Sequence, residues 1–178
     1  MASSPALEAE QAPNLKSQPG PGPGRPRQAS AWIPVLICIL VIACESTQAF
    51  GADRTTGPLQ HFFEFLFHRH FTQPQWWRLH LFIRKSGHFL GYGILSIAWF
   101  RAFWMTFRLE NALHQRWRAA HWLAMLGTLA VASSDEIHQL FLPNRSGSIV
   151  DVMIDCLGGL LMQTMIWLWM RRRLRSLA

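Results

Sequence analysis

Four long apolar runs divide the chain, and the polar clusters sit at their ends. SAWIPVLICILVIAC (30–44) is the first and shortest, with Pro34 in its first turn, where a helix tolerates proline. A second runs from Leu79 to Phe107 and is densest between Phe89 and Phe100. The third covers Ala119–Ser134 and the fourth Ile149–Met170. At a rise of about 1.5 Å per residue, a hydrocarbon layer of about 30 Å takes roughly 20 helical residues. With their flanks included, the runs predict spans at about 30–48, 82–107, 118–135 and 149–170. The expected fold class is all-α: a polytopic membrane four-helix bundle.

The segment GPLQHFFEFLFHRHF (57–71) is amphipathic but too polar to span. Pro58 suits a helix start, so the pattern predicts an interfacial helix in the first outer loop, with Trp76 and Trp77 as interface anchors. Residues 1–28, with PGPGPGRPR at 19–27, have nothing to bury and read as a disordered cytoplasmic tail. The membrane domain is expected over 29–171, followed by a basic tail over 172–178.

Half of the residues are hydrophobic, with nine Trp, twelve Phe and a single Tyr, a mix that fits a multi-pass membrane protein. The net charge of +7 does not point to nucleic acid, because the basic residues flank apolar runs. With a cytoplasmic N-terminus, eleven of the seventeen Lys and Arg fall inside: those of the tail, of Arg101–Arg118 and of the C-terminus. This bias predicts a multi-pass membrane protein with both termini in the cytoplasm. Cys38, Cys44 and Cys156 lie in apolar runs without metal-type spacing and read as small buried hydrophobes. VIAC (41–44) also has the form of a lipobox that would lipidate Cys44, whereas the long leader favours a retained anchor.

Against this background the stretch SSDEIHQLFLPNRSGSIVDVMIDCLGG (133–159) carries unexpected charge. Helical spacing puts Lys85, His88 and Tyr92 on one stripe, Asp135 and Gln139 on a second, and Asp151, Asp155 and Gly158 on a third. Glu136 is turned about 100° from Asp135 and addresses a different neighbour. Gly87, Gly91 and Gly93 are candidates for close helix approach. PNRSGS (143–148) reads as a tight turn that brings Arg145 to the same level. An ionised side chain at the bilayer centre costs roughly 2.5–3.5 kcal/mol, so these groups are expected to face one another, with Arg145 and Lys85 as counter-charges.

RKSGHFLGYGIL (84–95) followed by SDEIHQLFLPNRSGSIVDVMIDCLGG (134–159) resembles the VanZ-like family of small bacterial membrane proteins. Lys85, His88, Phe89, Tyr92, Asp135, Glu136, Gln139, Pro143, Arg145, Asp151 and Gly158 match the family pattern, and EST (45–47) resembles its acid-Ser segment. Arg84 stands where the family often has Asp, and Asp155 where it often has Asn. The resemblance implies a link to the cell envelope, since one member is associated with resistance to the glycopeptide teicoplanin, and it implies no established reaction.

The expected function is binding or screening of a lipid-linked or amphiphilic envelope molecule at an outer-side polar site. That site would comprise Lys85, His88, Tyr92, Asp135, Glu136, Gln139, Arg145, Asp151 and Asp155. Its bland alternative is a set of structural ion pairs that fix helix register. His88 and His138 beside the acids would suit Zn²⁺ or Mn²⁺, but no tight ligand spacing appears, and no metal or other cofactor is expected. Hydrolysis of a phosphorylated lipid is an alternative, because SGH (86–88) and Arg145-x5-Asp151-x3-Asp155 resemble lipid phosphatases. There, however, Asp151 replaces the nucleophilic His. A solute carrier ranks lower, since Thr128, Gln163 and Thr164 supply little polarity toward the inner side.

Overall fold

The computed structural model describes residues 25–47, 52–107, 113–143 and 147–175. They form five helices: α1 Arg25–Ser46, α2 Ala52–Phe67, α3 Gln73–Thr106, α4 Leu113–Leu140 and α5 Ile149–Arg175. No strand occurs among the described residues. The four long helices alternate in direction. Trp32 Nε1 near the start of α1 donates to Thr106 Oγ1 at the end of α3 (3.0 Å), and Lys85 near the start of α3 meets Asp151 at the start of α5. The third helix is central and packs against α1, α4 and α5.

Several boundaries differ from the hydrophobic pattern. Helix α1 begins at Arg25, four residues inside the segment read as a tail; residues 1–24 lie outside the described residues. Pro34 is therefore interior, not in a first turn, and removes one backbone bond there. Arg101 donates to Ala31 O in the same turn, at 3.2 Å. Helix α2 also starts earlier than Pro58 suggested and stops at Phe67. Cys38 and Cys156 are half-buried, but Cys44 is exposed, because its face of α1 has no partner helix.

On length and apolarity two helical stretches qualify as membrane spans, Ala29–Ser46 and Ile149–Arg173. Helices α3 and α4 are long enough but carry more charge toward their ends. All four long helices nevertheless expose apolar residues along their middles, among them Leu36 and Leu40, Leu90 and Ile94, Trp122 and Leu126, and Leu157 and Leu160.

Two features hold the bundle in register. The first is small residues. A Cβ on Gly158 would collide with the backbone carbonyl of Phe89, so the two helices touch main chain to main chain there. Gly93 faces the same point: a Cβ there would lie 3.3 Å from Gly158 O. Gly127 leaves room for the Trp99 ring, which a Cβ would meet at 2.8 Å. By contrast, Gly87 and Gly91 face open space and mediate no close approach.

The second is the elbow between α2 and α3. His68 adopts φ 48° and lets the amides of His68 and Arg69 bond back to Phe65 O and Glu64 O, a Schellman closure of α2. The Glu64 carboxylate then accepts from Phe71 N at 3.0 Å and from Gln60 Nε2 at 3.1 Å. These donors, the Phe71 amide foremost, hold the Glu64 carboxyl below its usual range. Thr72 N donates to Gln75 Oε1 across the first turn of α3.

Gly158→Ala is expected to cost about 1–3 kcal/mol through overpacking, seen as a drop of roughly 2–10 °C in the melting temperature in detergent. Gly87→Ala should leave that temperature unchanged or slightly raised; equal effects would refute the main-chain contact. Because the folded-state pKa of Glu64 is lowered, its contribution is present above the ordinary Glu range and is lost as pH falls through the lowered value. The hydrogen-exchange protection of the Phe71 amide should therefore fall in acid, and Glu64→Gln should abolish that step.

Candidate functional site

Where α3 and α5 begin and α4 ends, three polar stripes converge. Lys85 Nζ donates to Asp151 Oδ1, both side chains being about one-third exposed (36% and 34%). One turn deeper, His88 Nδ1 lies 3.6 Å from Asp155 Oδ1, and Asp155 is fully buried. Neither carboxylate oxygen of Asp155 has a hydrogen-bond partner, so the contact is ionic without being a hydrogen bond. The His88 ring stacks on Tyr92 with centroids 6.2 Å apart. Tyr92 is itself buried, and its hydroxyl is unpartnered.

Helix α4 brings its acids to the same place. Asp135, Glu136 and Gln139 are all buried. Gln139 Nε2 donates to Asp135 Oδ2 at 3.1 Å, the i, i+4 pairing that their shared face allows. Glu136 turns to the loop and accepts from Ser148 N at 2.7 Å. Ser148 caps α5, its Oγ accepting from Val150 N at 3.2 Å. Asp151 falls in that first turn, where a carboxylate also complements the helix dipole. The turn needs glycine at 147, since a Cβ there would collide with Glu136 O. Arg145, expected beside these acids, lies outside the described residues.

A cavity of about 80 Å³ opens among these groups, lined by Lys85, His88, Glu136, Gln139, Asp151 and Asp155, with Arg84 at its edge. Asp135 and Tyr92 sit behind that lining, within the core. His138 is exposed and does not line this cavity, although it lies within about 60° of Asp135 around α4. Among the described residues no three His, Cys, Asp or Glu side chains form a group able to hold a metal ion.

The VanZ/LLP1 family profile matches residues 31–171. The chain belongs to this family. Among curated proteins and among solved structures, nothing matches it. The match covers α2, α3 and α4 and most of α1 and α5, so the converging stripes lie within the VanZ/LLP1 region.

A second polar group in the VanZ/LLP1 region joins Gln163, noted from the sequence only as inner-side polarity, to Ser96 and His121, which that reading passed over. Gln163 Nε2 donates to both Ser96 O (2.9 Å) and Ser96 Oγ (2.8 Å). Gln163 Oε1 is thus the acceptor that faces His121 Nδ1 at 2.5 Å, which assigns the imidazole proton to Nδ1. Ser96 and Gln163 are buried, and Phe100 packs against the His121 ring at 4.6 Å. The signal that marks this triad was a histidine at the head of the third apolar run, which within a membrane span needs a partner.

A double-mutant cycle on Lys85→Ala and Asp151→Ala should return a coupling of about 0.5–1 kcal/mol in thermal unfolding, as partly exposed pairs do. Strict additivity would mean that the pair does not hold α3 to α5.

Proposed function

We propose that this VanZ/LLP1 member is a four-span envelope protein whose polar cavity binds or screens a lipid-linked or amphiphilic molecule at the outer leaflet. Both termini then lie in the cytoplasm. The uncharged middles of α3, α4 and α5 support four spans, since charge gathers only at their ends while apolar side chains face outward. The bias of Lys and Arg supports the orientation.

One observation carries the functional reading. Acids and bases from three helices line a single small cavity, with Asp155 fully buried and its carboxylate oxygens unpartnered. A buried carboxylate left without hydrogen bonds is costly, which fits a site completed by a polar ligand better than a closed ion pair. Lys85 and Arg145 would meet anionic groups of such a ligand, and the acids would orient it. Teicoplanin-type tolerance is the expected phenotype by family kinship.

Hydrolysis of a phosphorylated lipid finds less support. Ser86, Gly87 and His88 are helical, so Ser86 and His88 point about 200° apart and do not gather at one phosphate. Ser86 lines a separate groove with Phe82, Phe89 and Leu90.

In a susceptible bacterial host, Asp151→Ala and Arg145→Ala should insert at wild-type levels and reduce glycopeptide tolerance to that of cells lacking the protein. Normal insertion with unchanged drug sensitivity overturns the reading.

A further inference from the structure

The polar cavity is not the only chamber at this end of the bundle. A larger one, about 240 Å³, lies between the end of α1, helix α2 and the first turns of α3. Its walls include Glu45, Thr55, Leu59, His80, Arg84 and Gly87. Arg84 and His88 stand between the two chambers and line both.

The charges of the larger chamber differ from those of the smaller. Lys85 is neutralised by Asp151, whereas among the described residues no carboxylate pairs with Arg84. A guanidinium presents a planar fork of donors that matches a phosphate or carboxylate through two parallel bonds. His80 is buried, with Nε2 3.5 Å from Thr55 Oγ1. Burial, with Arg84 nearby, holds its imidazole below the usual range, so it adds no positive charge at neutral pH. Glu45 is the carboxylate in the same lining. A monoanion seated on Arg84 meets less repulsion from Glu45 than a dianion would.

The surroundings are apolar. Leu59 and Ile83 line the chamber, and α2 turns Phe62, Phe65, Leu66 and Phe67 outward, Phe65 being 76% exposed. An amphipathic helix with such a face lies in the headgroup region of a bilayer. The chamber beneath it sits where a lipid headgroup passes into its tails.

We infer that the α1–α2–α3 chamber binds the phosphodiester headgroup of a membrane lipid, with Arg84 as the anion anchor and the tails lying along the apolar flank of α2. The inference rests on the membrane placement proposed above but not on the glycopeptide phenotype. A phosphodiester carries a single negative charge to set against Arg84, and its two free oxygens match the guanidinium fork.

Native mass spectrometry of the full-length protein released from micelles would test this, with a two-tailed phosphodiester lipid, a diacylglycerol of equal tails and inorganic phosphate as probes. The wild type should retain the phosphodiester lipid over the diacylglycerol by roughly tenfold or more, the order expected of a charge-assisted pair, and retain no inorganic phosphate. Arg84→Ala should remove the preference and Arg84→Lys should keep part of it. Gly87→Leu is the independent variant: a Cβ at Gly87 meets nothing within 4 Å, so the added bulk fills this chamber and should lower lipid retention without altering charge. Equal retention of both lipids by the wild type overturns the inference whether or not the variants fold. Retention undisturbed by Arg84→Ala and Gly87→Leu overturns it as well. Inorganic phosphate held as tightly as the lipid would make the site one for a free anion and defeat the lipid assignment. None of these readouts depends on drug tolerance, so failure here is distinct from failure of the proposed function.

Discussion

Main-chain contact between α3 and α5 at Phe89 and Gly158 is the constraint on which the rest of the bundle depends. With no Cβ at Gly158, the two helices approach until the carbonyl of Phe89 occupies the space a side chain would take. That contact fixes axial register. Lys85, four residues before Phe89, then faces Asp151, seven before Gly158, and one turn on His88 faces Asp155. In the other direction Ser96 reaches Gln163. Three pairs of polar groups along two parallel helices thus share one cause, and a helix slid by one turn would break all of them together.

Helix α4 adds the acids and the problem they create. Asp135, Glu136 and Asp155 are buried within one end of the bundle, and each is handled differently. Asp135 accepts from the amide of Gln139, and Glu136 from the backbone N–H that opens α5. Asp155 has an ionic neighbour in His88 but no hydrogen bond. Buried charge of this kind is a poor source of stability, because desolvation offsets most of the Coulombic gain. Its place beside a cavity is what the proposed polar ligand would account for.

The amphipathic α2 and its elbow give this end of the bundle a cover. The helix is closed by His68 in a left-handed conformation and tied to α3 by Glu64 and the Phe71 amide. Its packing on the bundle is light: Phe63 and Thr55 reach Trp76 and His80, while the other phenylalanines face outward. Helix α2 walls the larger of the two chambers through Thr55 and Leu59.

Much of the architecture was legible from hydrophobic periodicity. The apolar runs mark four of the five helices, and the i, i+4 spacings pair Asp135 with Gln139 and put Lys85, His88 and Tyr92 on one face. The ordered motifs also pointed to the family. Periodicity is local, so it carries this kind of information without knowing the partner. Helix ends were less legible: Pro34 and Pro58 read as starts, yet both sit inside helices, because neighbouring turns and packing outweigh one missing backbone bond. What one-dimensional pattern could not supply is which side chains meet across helices. Gly87, Gly91 and Gly93 look alike in the chain, but Gly93 alone of the three touches another helix. Arg84 and Lys85 are adjacent, but Lys85 pairs with Asp151 while Arg84 lines the chamber beside α2, because consecutive helical residues diverge by about 100°. His121 finds Gln163 only once α4 and α5 are side by side. Those contacts depend on helix rotation and register, which are set by packing between elements distant in the chain.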